Sequence, residues 1–303
     1  MRQSLARLLE GAIDYAGTFP PARLTLKETV GNYLRYRDGE DGWIMDRLVC
    51  PVGSLSELGG LLREAEPDPP APITVIGSPA KGAADWKDAL AEDRRSIAEF
   101  ESEFEGLAEL EAMETRLPNG CSVEEAIRAL DSFESQEVFL EIPWTDGMQN
   151  ALAELAEEGG IGAKARTGGP DASAYPDPAT LAAFLRDALD MQVPFKLTAG
   201  LHDPIRHRIE SVGAMAHGFL NVFTAAALHV EHDLTEREIA SVLETEDPAA
   251  FAWRDDGFAW RGLSAGMEAI DEARDLFAGF GSCSVKEPLD GLAALGLLEA
   301  AQA

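Results

Sequence analysis

A regular alternation of two kinds of segment constrains the fold of this chain more than any other feature of its sequence. Short β-rich segments alternate with helical stretches from near the N-terminus to about residue 200. Such alternation indicates parallel strands that are joined by crossover helices. Seven strands are predicted, at Gly11–Ala16, Arg47–Val52, Ile73–Gly77, Ala108–Met113, Val138–Pro143, Gly160–Arg166 and Phe195–Ala199. Helices are predicted to begin near Thr25, Ser54, Ala84, Ser122, Gly147, Asp177 and Pro204.

The number of strand-helix units favours a TIM-type (β/α)8 barrel. Seven units are more than two ordinary domains need, and they approach the eight of a barrel. After Pro204 the pattern is helical through Ala240, and a small hairpin then turns at Asp256-Gly257. The second arm of the hairpin, Gly257–Gly262, is the candidate closing strand. A long helix from Ser264 to Phe280 is expected to cover it.

We expect one domain, residues 1–303, in which residues 205–303 form a helical and hairpin extension that completes the barrel. The length of 303 residues and the apolar content of 46% allow a large core, and they suit either one barrel or two smaller domains. An open doubly wound sheet is the competing architecture. It is disfavoured because no Gly-x-Gly-x-x-Gly follows the first predicted strand.

The strong negative charge of the chain excludes some classes of partner. The formal net charge is −29, from 54 acidic and 25 basic residues. Such a surface repels phosphate backbones and anionic lipids, so we expect neither nucleic-acid binding nor membrane binding. A small-molecule substrate is the expected partner, and the sequence is compatible with a homo-oligomer.

The distribution of these charges suggests adaptation to salt. The acidic residues are spread over predicted helices and loops instead of forming one tail, and Lys is rare beside Arg. This resembles proteins of a halophilic cytoplasm, where salt screens the repulsion between like charges over a few ångströms. We therefore expect the melting temperature to rise between low and molar salt, measured by thermal unfolding at fixed pH. An unchanged melting temperature would contradict the hypothesis.

Cysteine usage and hydrophobicity indicate a cytoplasmic protein. Cys50, Cys121 and Cys283 are far apart and odd in number, which fits neither a disulfide framework nor a paired Cys-x-x-Cys metal site. The chain has no run of about 18 apolar residues. Residues 1–7 lead into an amphipathic stretch without the apolar core of a signal peptide. We expect a reducing, cytoplasmic environment.

Polar residues at the carboxyl ends of the predicted strands are the candidates for a functional site, because barrel enzymes react there. Two strand ends, Gly-Ala-Lys164-Ala-Arg-Thr-Gly-Gly and Phe-Lys196-Leu-Thr-Ala-Gly, each place one lysine in an otherwise apolar strand. Burial and a second ammonium nearby both lower the pKa of a lysine, and a neutral amine is the nucleophile that Schiff-base chemistry requires. Alternatively, carboxylates such as Glu111 or Glu141 neutralise both lysines, which then only tie strands together.

The same two segments carry a family resemblance. Lys164-Ala-Arg-Thr-Gly-Gly and Lys196-Leu-Thr-Ala-Gly-Leu resemble the sixth- and seventh-strand motifs, Lys-x-Ser-Thr-Gly and Lys-x-x-Gly-Gly, of class I aldolases related to deoxyribose-phosphate aldolase. The resemblance spans residues 160–202 and implies that Lys164 forms the Schiff base while Lys196 lowers its pKa. Arg166 is an added cation, and Leu201 replaces the second glycine of the seventh-strand motif. No Gly-Ser-Ser phosphate loop follows an eighth strand, so a phosphorylated substrate is not implied.

Further strand-end residues are candidates for the same site. Glu141 is the candidate for proton transfer, because a half-buried carboxylate can be tuned toward neutral pH, and a salt bridge to Lys164 or Arg166 is the alternative. Arg166 could hold a substrate carboxylate in bidentate fashion, or pair with Glu111 or Glu114. The expected substrate contacts are Arg166, Thr167, Thr198, His202, Asp14, Tyr15 and Glu111.

Three functions follow from these residues. The first is a lyase or aldolase-like enzyme that acts on a small carbonyl or carboxylate compound, with Lys164, Lys196 and Glu141 as catalytic residues. The second is a metal-assisted isomerase or hydrolase that uses strand-end carboxylates and His202. The third is a barrel that binds a small anion without turning it over. We expect no cofactor, and no metal, because lysines beside Glu111, Glu141 and His202 disfavour a cation.

Overall fold

The structure is a computed structural model that describes residues 1–133, 136–145 and 147–298. Its strands are β1 (Ile13–Tyr15), β2 (Met45–Pro51), β3 (Ala71–Ile76), β4 (Ala108–Arg116), β5 (Glu137–Glu141), β6 (Ile161–Arg166), β7 (Phe195–Thr198), β8 (His207–Ile209), β9 (Ala214–Ala216), β10 (Phe251–Trp253), β11 (Gly257–Trp260), β12 (Leu263–Gly266) and β13 (Phe277–Ser282). Its helices are α1 (Gln3–Leu9), α2 (Leu26–Arg37), α3 (Leu55–Ala65), α4 (Ala83–Glu103), α5 (Val123–Leu130), α6 (Met148–Glu158), α7 (Pro178–Asp190), α8 (Phe219–His232), α9 (Glu236–Leu243), α10 (Met267–Leu276) and α11 (Lys286–Ala294).

Eight parallel strands close into a barrel in the order β1-β13-β7-β6-β5-β4-β3-β2. The predicted TIM-type (β/α)8 barrel is therefore confirmed, as are all seven strands predicted before residue 200. The first six predicted helix starts lie within one residue of the observed helices. Local chemistry explains this accuracy, because Thr25, Ser122 and Asp177 each cap a helix by accepting a hydrogen bond from a backbone N–H of its first turn.

The sequence predicts a helical segment from Pro204 through Ala240, and this prediction is wrong for the first part of the segment. A short antiparallel pair, β8 and β9, comes first, and α8 begins only at Phe219. Residues His207–Ile209 and Ala214–Ala216 pair with each other as strands, which takes them out of a helical path. The backbone N–H groups of Phe219 and Leu220 donate to the carbonyl groups of Asp203 and Pro204, which ties the start of α8 to the loop after β7. Tertiary contacts override the apolar periodicity here.

The prediction that Gly257–Gly262 closes the barrel is wrong. The hairpin that turns at Asp256-Gly257 exists, but β10, β11 and β12 form a separate antiparallel sheet. The closing strand is β13, which lies in the end of the segment predicted to be one long helix. Gly279 in this strand has a φ of 148°, and a Cβ there would lie 2.5 Å from the carbonyl oxygen of Ala12. Glycine is required for this close strand contact, and glycine is depleted in strands, which hides β13 in the sequence.

Aromatic packing holds the closing strand in place. The ring of Phe277 at the start of β13 stacks on Phe195 of β7, with centroids 4.7 Å apart, and on Phe223 of α8, with centroids 4.2 Å apart. Phe280 stacks on Phe219 of the same helix at 5.7 Å. Burial of several aromatic rings contributes a large share of core stability. The core between the barrel and α8 therefore fixes a strand that has weak strand propensity of its own.

The surface of the described residues is polar. Met1 is the large apolar side chain that is exposed there. None of the helices in the described ranges has the length and hydrophobicity that are needed to cross a lipid bilayer.

Candidate active site

Five charged side chains from five barrel strands form one connected group inside the barrel, which we call the charge cluster. Lys196 of β7 contacts Asp14 of β1, and its Nζ lies 2.8 Å from Glu114 Oε1 of β4. Glu114 Oε2 lies 2.7 Å from Nζ of Lys164 on β6, which is 3.2 Å from Glu141 Oε2 of β5. Acidic and basic groups therefore alternate through the cluster, and Glu114 bridges the two lysines.

Strand register brings these side chains to the same region. Glu141 is paired with Lys164, and Lys164 with Lys196, across the adjacent strands β5, β6 and β7. Successive side chains of a strand alternate between the two faces of a barrel. Residues at one register position of neighbouring strands consequently share the inward face. Asp14 on β1 and Glu114 on β4 reach the lysines from the two sides, each from two strands away around the barrel.

The two lysines lie at different depths. The side chain of Lys196 is 2% exposed, whereas that of Lys164 is 8% exposed and lies beside Glu141, the last residue of β5. The deeper wall is partly apolar, because the ring centroid of Phe139 is 5.2 Å from Lys196 Nζ. Gly162 leaves room for this ring, since a Cβ at that position would lie 2.7 Å from it. Of the two amines, Lys164 is therefore the one nearer to solvent.

Mutual electrostatics sets the pKa values of Glu114 and Lys196. Burial by itself would raise the pKa of Glu114, but the ammonium groups of Lys164 and Lys196 outweigh burial and hold this pKa at about 2. Burial by itself would lower the pKa of Lys196, but Asp14 and Glu114 outweigh it and raise the pKa above its ordinary value. The expectation that desolvation makes this lysine hard to charge is therefore wrong for Lys196.

Asp14 is oriented by two more hydrogen bonds. Thr74 Oγ1 of β3 donates to Asp14 Oδ2 over 3.0 Å, and the backbone N–H of Arg47 donates to Asp14 Oδ1 over 3.3 Å. A buried carboxylate with donors on both oxygens and a lysine beside it is well satisfied. Asp14 thus serves as a fixed anion beneath Lys196.

The loops above the lysines approach each other closely. A Cβ at Gly168 would lie 2.7 Å from Cα of Gly200, and Gly200 itself has a φ of 80°. Thr167 is fully buried, and its Oγ1 donates to the carbonyl of Ala199 over 2.5 Å. The Thr-Gly-Gly and Ala-Gly segments are thus explained by contact between the β6 and β7 loops. Thr167 acts in this contact and is not placed at the amines.

Two arginines form the rim above Glu141. Arg116 Nε lies 3.9 Å from Glu141 Oε1, and Arg166 Nη1 lies 3.9 Å from Glu141 Oε2. Their side chains are 72% and 49% exposed, respectively. Trp144 Nε1 donates to the backbone carbonyl of Arg166 over 2.6 Å and fixes that strand end. Two cations at the ends of β4 and β6 therefore lie around Glu141 in a protein that is strongly acidic.

The remaining predicted site residues lie apart from the lysines or beside them without direct contact. Tyr15 faces α2, where its hydroxyl accepts a hydrogen bond from Asn32 Nδ2 over 3.3 Å. His202 lies on the loop after β7, with Nδ1 2.8 Å from Glu287 Oε2. Thr198 ends β7 next to Gly281.

Glu111 lies elsewhere in the barrel. Its Oε2 is 2.8 Å from Arg47 Nε, and Arg47 Nη1 is 2.9 Å from Glu137 Oε2 at the start of β5. These contacts are at the amino end of the strands, opposite the rim. Because β4 continues to Arg116, three residues beyond its predicted end, Glu111 is not a strand-end residue. The position nearest to the lysines belongs to Glu114.

Sequence reasoning missed Glu114, Thr74 and Arg116. The sequence predicts that β4 ends at residue 113, so it indicates Glu114 only as a partner of Arg166. A period-two reading of Ala112, Glu114 and Arg116 would have placed all three on the inward face. Thr74 resembles an ordinary β-branched strand residue, so the sequence has no signal for its contact with Asp14.

A separate group of potential metal ligands lies outside the barrel. Among the described residues, the ligand atoms of Asp190, His229 and Asp233 lie within 4.8 Å of one another. Arg186 Nε is 3.8 Å from Asp190 Oδ2 and already supplies positive charge there. The three carboxylates of the charge cluster are engaged by lysines in the same way.

Comparison with known proteins identifies no family. No protein-family model matches the chain, and no curated protein matches it. One solved structure that the chain resembles is the muconate lactonizing enzyme from Klebsiella pneumoniae, at 13% sequence identity and a TM-score of 0.31. The match covers 75% of this chain and 64% of that enzyme, so the chain spans less than two thirds of its length. A likeness of this size carries no inference about chemistry.

Proposed function

We propose that the protein is a lyase of the class I aldolase type, which forms a Schiff base between Lys164 and a small carbonyl compound. The observation that carries this proposal is the bridge from Glu114 to two lysines on adjacent strands, with Lys164 on the side of the barrel mouth. Lys164 lies on the sixth barrel strand and Lys196 on the seventh, the positions that the aldolase resemblance assigns to nucleophile and partner.

The charge cluster suits an imine because its total charge does not change when the imine forms. An ammonium and a carbonyl give a protonated imine and water, and the two protons that nitrogen loses leave within the water molecule. Before attack, Lys164 must pass one proton to a neighbouring carboxylate, and Glu141 lies 3.2 Å away. The nitrogen lone pair then attacks the carbonyl carbon, and the former carbonyl oxygen receives the protons.

Carbon–carbon cleavage uses the same groups. Glu141 removes the proton of a hydroxyl group two carbons from the imine carbon, and that oxygen forms a new carbonyl. The electrons of the broken carbon–carbon bond move to the imine, giving an enamine with a neutral nitrogen. Protonation of the enamine and addition of water then release the second product and restore the lysine.

Lys196 and Asp14 lie deeper in the barrel than Lys164 and hold Glu114 in place through Lys196. Glu114 is shared by the two lysines, so Lys196 holds one of its oxygens while the other lies beside the amine of Lys164. Rim side chains must move aside for a substrate to reach Lys164, and the exposed guanidinium groups of Arg116 and Arg166 have the space to do so.

Borohydride trapping tests the proposal directly. The protein is incubated with acetaldehyde, acetone, glyceraldehyde or pyruvate and is then reduced with borohydride and mapped by mass spectrometry. The chain has six lysines, so each can be resolved in the peptide map. We expect one dominant adduct, at Lys164, because the charge cluster holds this amine beside a carboxylate that can accept its proton, at the carboxyl ends of the strands.

An even distribution of adducts over exposed lysines such as Lys27, Lys81 and Lys87 would show that only ordinary surface amines react. That outcome, or the absence of any adduct, would contradict the Schiff-base proposal. Denatured protein is the matched control, since unfolding destroys the charge cluster and should equalise labelling among the six lysines.

A further inference from the structure

We infer that the substrate is a short 2-oxo carboxylate, whose carbonyl carbon meets Lys164 while its carboxylate is bound by Arg166 and Arg116. This inference rests on the proposed function, because it assumes that Lys164 is the group that attacks the carbonyl. It adds the substrate class, which neither the barrel nor the lysine pair specifies.

The contacts of Glu141 limit the distance between the amine of Lys164 and the guanidinium group of Arg166. Lys164 Nζ lies 3.2 Å and Arg166 Nη1 lies 3.9 Å from the same oxygen, Glu141 Oε2, so the two nitrogens are no more than about 7 Å apart. In a 2-oxo acid, bond lengths place the carboxylate oxygens about 2.4 Å from the carbonyl carbon, and a charge-assisted hydrogen bond adds about 2.8 Å. A carboxylate attached directly to the reacting carbon therefore spans the gap.

The arginines have hydrogen-bonding capacity to spare. Each guanidinium has five N–H donors, and the contacts of both groups with Glu141 are 3.9 Å long, beyond hydrogen-bonding distance. Arg116 lies beside Oε1 of Glu141 and Arg166 beside Oε2, so both guanidinium groups lie next to the carboxylate that Lys164 also contacts. Planar guanidinium groups in this arrangement match a carboxylate in bidentate fashion.

Electrostatics at the rim favours an anion despite the net charge of the chain. The charge cluster and the two arginines together have four cations and three carboxylates, which leaves one positive charge in excess. The excess positive charge attracts an anionic substrate at short range, where screening by salt is weakest. A neutral aldehyde gains nothing from these two arginines.

The test compares pyruvate with methyl pyruvate, which keeps the 2-oxo group but lacks the negative charge. Half-saturating concentrations for borohydride trapping are measured on the wild-type protein, Arg166→Gln, Arg116→Gln and the control Arg95→Gln. Arg95 lies on α4, far from the rim in sequence, and its side chain is 66% exposed. Melting temperatures check that each variant folds, which we expect because the three side chains are 49% to 72% exposed.

We expect wild-type protein to be half-saturated by pyruvate at a concentration about 10-fold lower than by methyl pyruvate. Arg166→Gln should raise the value for pyruvate about 10-fold and leave that for methyl pyruvate unchanged, with a smaller effect for Arg116→Gln and none for Arg95→Gln. If both compounds are trapped equally and neither rim variant changes the trapping, the substrate class is overturned while the Schiff-base proposal stays intact. If neither compound forms an adduct, the proposed function fails and this inference fails with it. Thermal stabilisation by pyruvate without an adduct also overturns both, and it indicates an anion-binding protein instead.

Discussion

Lys164→Arg should abolish the borohydride-trapped adduct and lower lyase turnover by at least about 10³-fold, the scale on which loss of a covalent nucleophile acts. Arginine keeps a positive charge between Glu114 and Glu141, so the ion pairs of the charge cluster persist. A guanidinium is not deprotonated in proteins, however, and it does not attack carbonyl carbon. The measurement is the peptide map after reduction, together with single-turnover kinetics on whichever carbonyl compound labels the wild-type protein.

A second variant separates chemistry from packing. The larger arginine side chain can overpack this buried position at a cost of about 1–3 kcal/mol. Lys164→Met fits the volume better but removes the charge, so the two variants perturb the structure in different ways and share only the loss of the amine. Lys27→Met, at an exposed position of α2, is the matched control and should label like wild type. Turnover that survived in folded Lys164→Met would remove Lys164 from the mechanism.

Glu114→Gln should lower the free energy of unfolding by about 3 kcal/mol at pH 7, because glutamine resembles the protonated acid and the folded protein holds the pKa of Glu114 at about 2. The sign follows from the depressed pKa. Glu114 stabilises the folded state above the pKa of an unfolded glutamate, near 4.5, and this contribution is lost as the pH falls toward 2. The difference between wild type and Glu114→Gln should therefore be full at pH 7 and smaller at pH 3, measured by urea unfolding.

Two further variants give this prediction a control and a coupling test. Glu109→Gln changes an exposed glutamate on the same strand and should alter stability by less than about 0.5 kcal/mol. In the double variant Glu114→Gln/Lys196→Met, the loss should be smaller than the sum of the single losses by about 1 kcal/mol or more, because one mutation removes the charge that the other leaves unpaired. Strict additivity would mean that Glu114 and Lys196 do not interact in solution.

The barrel could be predicted because local signals and the fold agree over its first seven units. Capping residues such as Ser122 and Asp177 mark helix starts, and apolar strands follow at regular spacing. The closing strand could not be predicted, since Gly279 is dictated by contact with Ala12 of another strand. No local sequence pattern indicates such a contact, and the glycines of β13 resemble those that commonly follow the end of a helix.

The site was predictable to the extent that it depends on single strands. Lys164 and Lys196 each interrupt an apolar strand, and strand register then brings them side by side. The partners of the lysines could not be predicted in the same way. Asp14 meets Lys196 from a strand 182 positions away in sequence, and an error of three residues at the end of β4 was enough to exchange Glu111 for Glu114.

The pairing of β1 with β13 has a consequence for how the protein is made. Asp14 leaves the ribosome long before residues 277–282, and its strand gains its second neighbour only when those residues have been synthesised. While the residues between the two strands are being synthesised, the nascent chain therefore carries a sheet with an unpaired edge, a state that is prone to aggregation. Only after β13 has been synthesised can the barrel close, and the buried charges then become enclosed in a single late event.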